Sequence, residues 1–461
     1  MKPYQHQQIV FERFKDKQLG ALFLDQGTGK TKIIIDILEH KYLTKQITAA
    51  VIITTSGLVG NWSEEELPKH SSIEYDVYVW KYTKELPSSN KLLYLIVNID
   101  GIASVRFPTL FKEFLKKYPV HALVVDESTI VKNRKALRTG AATMMARKAV
   151  ARFIMSGTPV VQSPLDLYSQ TEILSPGLLG FKSFFAFRAR YATQEAQYFG
   201  PRSFQKIVGY KNLEELTTQI SVFAAIIKKE DCLDLPPKMY RSIFVELTDE
   251  QQKAYDELKL RAMTYLQDNI ITVGSAVALI NKLLQICCGQ LKVGDAYLSL
   301  PNNKLNIINE LVDEATGQTI IWTSFVNTAV DLKKALGDKA IHLPAGLSIE
   351  ARQGILDNFR AGGVRVLIAN PASAGHGITL TNCSNVVYYS NSWNLEHRLQ
   401  SEDRVHRIGQ TMSVLYTDLT ARNTIEEYVV YTLKKKKLLA NSVITNKVMV
   451  DLLNNKLASS G

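Results

Sequence analysis

Residues 21–38 read ALFLDQGTGKTKIIIDIL, and that stretch dictates a strand, a glycine turn and a helix in succession. The short apolar run 21–24 suits a buried parallel strand. Gly27 and Gly29 then turn the chain, and Ile33, Ile34, Ile35, Ile37 and Leu38 mark a largely buried helix that begins near Lys30. These elements in this order form a phosphate cradle: the glycines let backbone N–H groups approach an anion, and the helix N-terminus adds partial positive charge. In such a cradle Lys30 reaches the β/γ-phosphates and the Thr31 hydroxyl ligates Mg²⁺. The spacing departs from G-x-x-x-x-G-K-[ST] at one place, where Leu24 replaces the first glycine. Taken alone, the stretch is also compatible with a plain glycine turn.

The same alternation continues along the chain. Short apolar runs at 50–53, 93–97, 122–125 and 153–155 read as further parallel strands, separated by helical stretches such as 30–40 and 109–117. This predicts an α/β fold with a doubly wound sheet, in which ligands sit at the loops after strand C-termini. From 165 to 235 the pattern changes, aromatics cluster in GFKSFFAFRARYA, and the segment reads as a helical insertion. The DLPPK run at 234–238 sets a boundary, because Pro236-Pro237 continues neither a helix nor a central strand. Beyond it, 241–247 alternates like a strand, and 249–266 and 277–284 read as helices of a second insertion, about 248–300. A second α/β half follows, with strand candidates at 319–322, 340–342, 364–368, 385–389 and 413–419 and helices at 347–359 and 424–443. The expectation is two doubly wound parallel-sheet lobes, 1–235 and 236–461, with a cleft between them.

Composition narrows the class. The 461 residues are 46% hydrophobic, enough for full cores, yet no run approaches the roughly 18 consecutive apolar residues of a membrane span. The first ten residues, MKPYQHQQIV, lack the apolar stretch of a signal peptide. Four cysteines form no CxxC and no metal-ligand spacing, which fits a reducing interior without disulfides or zinc. A net charge of +11 fits a polyanionic partner, or merely a basic protein, since no arginine-rich tail exists and the lysines at 434–437 suit a solvated helix face. The composition therefore predicts a soluble, intracellular protein with no membrane partner.

Four further stretches carry chemistry. VVDESTIVKN at 124–133 ends an apolar strand on Asp126 and Glu127. In a nucleotide hydrolase the first acid holds Mg²⁺ and the second orients or deprotonates the attacking water; an Asp-Glu pair also simply caps helices. Ser156-Gly157-Thr158-Pro159, after another strand, suits either phosphate binding, a relay between sites, or an ordinary turn. QSEDRVHRIGQ at 400–410 sets Arg404 and Arg407 three apart on an expected helix, hence on one face. An arginine opposite a γ-phosphate stabilises transition-state charge, although such pairs also decorate solvated helices. ASAGHGITL at 372–380 is a second glycine-rich loop after a strand, and its His376 reads as structural.

Taken in order, these blocks resemble the Swi/Snf-type ATPases of helicase superfamily two, the DNA translocases that include chromatin remodellers and annealing helicases. The resemblance runs from Pro3-Tyr4-Gln5 to Thr424-Ile425-Glu426-Glu427. It implies two RecA-like lobes with helical insertions, binding ATP with Mg²⁺ and duplex DNA; single-stranded or forked DNA are the alternatives. Gln5 would contact adenine, with Gln7 and Gln8 leaving the register open. Gln26, Gly27, Thr28, Gly29, Lys30 and Thr31 would form the phosphate loop, and Thr31 and Asp126 would hold the metal. Gln400 and the glycine-rich block at Gly375 would complete the nucleotide site, with Arg404 and Arg407 as arginine fingers. DNA contacts would come from Thr54, Asn61, Thr158, Gly375, Thr379 and Trp393.

There are departures. Ile226-Ile227 and Lys228-Lys229 precede Asp231 where the family carries paired arginines, and His376 replaces a glycine. Glu127-Ser128 is the variant associated with bacterial, viral and annealing-type members. The resemblance thus implies a motor without reader domains, in the cytoplasm of a bacterial or phage-infected cell. The rival readings are a strand-separating DNA or RNA helicase and an inactive nucleotide-dependent clamp; the clamp would lack an acid or an arginine, and all are present.

Overall fold

The computed structural model describes residues 3–80, 85–199, 202–267, 273–293, 296–374 and 378–443. They fall into two compact units, one made of the described residues up to Asp234 together with those from Lys436, the other Leu235–Lys435.

Unit 1 is built on strands β1 (Leu19–Leu24), β2 (Ala49–Thr54), β3 (Tyr75–Val79), β4 (Leu92–Asn98), β5 (His121–Val125) and β6 (Ala151–Met155), then β7 (Ala192–Phe199), β8 (Arg202–Tyr210) and β9 (Ala224–Ile227). Seven of them form one parallel sheet in the order β3-β4-β2-β5-β6-β1-β9. Its central strands are buried along their whole length, which is why they read as unbroken apolar runs. Ile33, Ile34, Ile37 and Leu38 of the helix Lys30–Leu43 pack into the core with Leu22, Ile52 and Val124.

Unit 2 repeats the plan. Strands β10 (Lys238–Val245), β11 (Gln290–Val293), β12 (Ala296–Ser299), β13 (Gln318–Trp322), β14 (Ala340–Leu343), β15 (Val366–Ala369), β16 (Cys383–Tyr388) and β17 (Val414–Ala421) supply a six-stranded parallel sheet, β10-β17-β16-β13-β15-β14. β10 starts directly after Pro237, three residues earlier than the alternation implied, and the Pro237 carbonyl already accepts from Val414 N at 3.2 Å. Two parallel α/β sheets with flanking helices are the RecA-like lobes expected.

The segments read as helical insertions need correction. Residues 165–235 hold the helices Asp166–Leu174, Phe184–Tyr191 and Leu213–Phe223, but also the antiparallel hairpin β7-β8 and the edge strand β9. Residues 248–300 add the hairpin β11-β12 to the helices Asp249–Gln267 and Val273–Cys287. The sequence between the paired strands, Gly200-Pro201 and Gly294-Asp295, is of a composition that interrupts a helical pattern. Among the described residues no helix is long and apolar enough to cross a membrane.

Candidate functional site

In unit 1 the site follows from strand order. β2, β5, β6 and β1 are neighbours in the sheet, so the residues after their C-terminal ends meet although more than a hundred positions separate the first from the last.

The turn after β1 takes left-handed backbone at Gly27 (φ +82°) and Gly29 (φ +88°). A Cβ on Gly29 would lie 2.0 Å from Gln7 Nε2, so only glycine fits there. The first turn of Lys30–Leu43 carries neither a side-chain cap nor an acidic residue, which leaves its N–H groups to an anion. Lys30 is buried, its Nζ donating to the carbonyls of Leu24 (2.8 Å) and Asp25 (3.3 Å), and Thr31 stands half-buried beside it. Thr28 donates its hydroxyl to Asp25 O at 2.7 Å, and its own carbonyl accepts from His6 Nε2 (2.8 Å) and Gln7 Nε2 (3.1 Å). Burial lowers the His6 pKa against the opposing pull of that carbonyl, which favours the neutral ring. Gln5 is exposed; Gln7 is the glutamine of the helix Gln5–Phe14 that faces the loop.

Asp126, at the end of β5, is buried and accepts three hydrogen bonds. Trp62 Nε1 donates to Oδ2 at 2.8 Å, Thr54 Oγ1 to the same oxygen at 3.3 Å, and Glu127 N to Oδ1 at 3.0 Å. Desolvation raises its pKa above the usual aspartate value, and these donors with the nearby Lys30 charge oppose the rise. Glu127 holds left-handed backbone (φ +51°) and accepts from Gln26 Nε2 (3.4 Å) and Ser156 Oγ (3.3 Å). After β6, Gly157 fits closely: a Cβ there would sit 2.9 Å from Gln26 Cγ and 3.4 Å from Lys30 Nζ. The glycine loop, acid pair and Ser156 turn are therefore one hydrogen-bonded cluster.

Thr54 is wholly buried against Asp126, so it is not the nucleic-acid contact expected; it orients the acid. Thr158 is also buried, with its N–H on Ser156 Oγ at 3.1 Å, while Asn61 Nδ2 donates to Glu66 Oε1 at 3.3 Å. Two residues escaped the sequence reading. Trp62 directly follows Asn61 in GLVGNW, and its ring N–H rather than the Asn61 amide reaches the acid pair. Gln170, fully buried on the helix Asp166–Leu174, accepts from Ser128 Oγ (2.6 Å) and donates to Pro159 O (2.7 Å), tying the acid loop to the Ser156 turn. A lone glutamine in a helical stretch carried no signal of this.

In unit 2 the helix Leu395–Val405 stops at His406 (ψ +83°), so Arg404 and Arg407 do not share a helical face as their spacing implied. The stop is non-local: the His406 ring bonds Pro236 O at 2.7 Å, and Gln410 Nε2 caps Val405 O (3.2 Å) and Cys383 O (2.8 Å). Arg407 Nη1 donates to Thr379 Oγ1 at 3.0 Å, and Arg360 donates through Nε and Nη2 to Thr379 O, both at 3.2 Å. Gln400 is buried, donating to Glu396 Oε1 at 3.3 Å. Arg398 anchors the helix, 3.5 Å from the Tyr388 ring centre and paired with Glu402 (2.9 Å) and Asp418. Trp393 packs on Tyr428, ring centres 5.7 Å apart. Gly375 and His376 lie outside the described residues.

Comparison with known proteins agrees with this geometry. A family profile described as the SNF2-related domain matches residues 4–293, and one for the helicase conserved C-terminal domain matches 303–409. The chain is 27% identical to an uncharacterised ATP-dependent helicase of Mycoplasma genitalium, covering 97% of this chain and 42% of that protein. It is 26% identical to the human DNA annealing helicase and endonuclease ZRANB3, over 96% of this chain and 40% of the relative. A putative protein of an aphid endosymbiont phage is 24% identical, over 96% and 97% of the two chains. The chain thus spans about two-fifths of the length of the first curated relatives it matches. The solved Sulfolobus solfataricus SWI2/SNF2 ATPase core in complex with dsDNA is similar at 23% identity and a TM-score of 0.44, covering 99% and 98% of the two chains.

Proposed function

The chain belongs to the SNF2-related family, and from that premise we propose that it is an ATP-driven motor acting on duplex DNA. One observation carries the reading: an uncapped helix N-terminus, a buried lysine, and an Asp-Glu pair bonded to the same loop, all at adjacent strand ends. An uncapped first helical turn with no acid suits a triphosphate.

Lys30 exchanges its carbonyl partners for the β/γ-phosphates, and the first-turn N–H groups take the rest of their charge. Thr31 and Asp126 would hold Mg²⁺, which would neutralise phosphate oxygens; Asp126 keeps lone pairs beyond those used by Trp62, Thr54 and Glu127. Glu127, steered by Gln26 and Ser156, orients the attacking water. Gln7, through its bond to the loop, takes the adenine-sensing role first assigned to Gln5. Arg404 and Arg407 are the arginine fingers, and Thr379 ties Arg407 to the glycine-rich block. Asn61, Thr379 and Trp393 belong to the DNA-contacting blocks, with phosphates as their main targets, whereas Thr158 is buried as Thr54 is.

The test is steady-state ATP hydrolysis with and without duplex DNA. Lys30→Ala is expected to abolish turnover, and Arg407→Ala to lower it by roughly 10³ or more. DNA-stimulated turnover at the wild-type rate in either variant overturns the proposal.

A further inference from the structure

Unit 1 carries a second concave feature, a cleft of about 480 Å³. It opens between the loop after the acid pair, the helix Leu137–Ala146, the helix Asp166–Leu174 and the first turn of Phe184–Tyr191. Arg134 and Arg147 line it beside the rings of Tyr168, Phe184 and Phe185. The Arg134 guanidinium lies 4.9 Å from the Phe184 ring centre and 5.3 Å from that of Phe185, and Arg188 lies 5.3 Å from Phe185 on its own helix. Phe185 is nonetheless 59% exposed. The acidic lining residue, Glu172, has one carboxylate oxygen on the Gly177 N–H at 2.7 Å.

An exposed Phe185 ring, with half-buried Phe184 and Tyr168 beside it and guanidinium groups at hand, matches a ligand that has both a flat apolar face and a negative charge. An unpaired nucleotide has both, and the cleft falls within the usual size of a small-ligand pocket. Duplex DNA keeps its base faces stacked and covers no phenyl ring, whereas an acidic peptide satisfies the arginines and leaves Phe185 wet. The cleft also shares a helix with the nucleotide site. Tyr168, Ser169 and Glu172 line it, while Gln170 of that helix holds Ser128 and Pro159.

We propose that this cleft binds an unpaired nucleotide of single-stranded DNA, with the base on Phe185 and its phosphates on Arg134 and Arg147. The inference rests on the nucleic-acid reading above and adds to it a site for unpaired strands. Strand occupancy then reaches the acid pair through the helix Asp166–Leu174.

The test uses the full chain and a fluorescent oligothymidylate, read by anisotropy, beside a blunt duplex of random sequence. Phe185→Ala is expected to weaken oligothymidylate binding roughly tenfold while Phe185→Tyr retains it, as loss and retention of base stacking require. Arg134→Ala/Arg147→Ala is expected to weaken it too and to flatten its salt dependence by about one unit of slope per arginine. Blunt-duplex affinity and ATP hydrolysis without DNA stay at wild-type values in every variant. Wild-type oligothymidylate affinity in Phe185→Ala, or no binding by the wild-type chain, overturns the proposal. So does a polyglutamate peptide that loses its binding in Arg134→Ala/Arg147→Ala while the oligonucleotide keeps it, which would give the cleft to a protein partner. Failure of duplex DNA to stimulate hydrolysis in the wild type would strike the motor reading alone, since oligonucleotide binding is read without turnover.

Discussion

Asp126 concentrates opposing demands in one side chain. Burial favours its protonated form, whereas metal binding needs the carboxylate, and the Trp62 and Thr54 donors oppose the rise without cancelling it. Because the folded pKa is raised, a proton competes with the metal at a higher pH than at an ordinary aspartate. The Mg²⁺ concentration for half-maximal hydrolysis is therefore expected to rise as pH falls from neutral into the mildly acidic range. Trp62→Phe removes the 2.8 Å donor and raises the pKa further. Its Mg²⁺ requirement should exceed the wild-type value at mildly acidic pH and converge on it as pH rises, with a stability cost of about 1–3 kcal/mol. Magnesium titrations of turnover at two pH values, with denaturant melts beside them, check both parts; an unchanged Mg²⁺ requirement removes Trp62 from the site. The acids themselves were legible, as charged residues ending an apolar run. Trp62 was not, because its role depends on β2 lying against β5, a pairing that no local pattern records.

At the level of elements, two buried polar links join segments distant in sequence. Gln170 bridges the acid loop and the Ser156 turn, and Gln170→Leu leaves Ser128 Oγ and Pro159 O without that partner. The expected loss is about 1–3 kcal/mol for each group left buried and unsatisfied, with hydrolysis stimulated by DNA falling more than hydrolysis without it. Equal falls in both would make Gln170 merely structural. Lys304, on the helix Asn303–Glu314, pairs with Glu426 at 2.6 Å, on the helix Ile425–Val443, both nearly out of contact with water. Lys304→Met strands a buried carboxylate and is expected to cost about 3–5 kcal/mol, most of it regained in Lys304→Met/Glu426→Leu. Urea melts of the two variants measure the difference. The helix at 424–443 was readable, whereas Asn303–Glu314 was not assigned, and helix ends were not legible either: the Arg404–Arg407 spacing implied one helix, and His406 ends it through a carbonyl 170 residues away.

For the molecule as a whole, alternation of apolar runs and helical stretches sufficed to predict two parallel-sheet lobes. Strand order lay beyond it, because β3-β4-β2-β5-β6-β1-β9 is fixed by which faces pack together and leaves no mark on any one strand. That order decides the site, since it lines up the ends of β2, β5, β6 and β1 and turns Thr54 inward from its expected place on DNA. Charge acts at the same scale. A net charge of +11 on 461 residues suits contacts with a phosphate backbone. Duplex affinity should then fall linearly with salt on logarithmic axes, by about 0.9 per phosphate neutralised, and by the same slope for unrelated sequences. Lys30→Ala sharpens the test, because its Nζ sits on loop carbonyls and not on the surface. A motor predicts that Lys30→Ala keeps both the affinity and the slope while hydrolysis is lost, so that binding and turnover separate. A nucleotide-locked clamp predicts the reverse: with the phosphate loop disabled, nucleotide no longer strengthens the grip on DNA, and the wild type turns over no ATP to lose. Measuring salt slopes and turnover on the same two proteins, with and without ATP, decides between them.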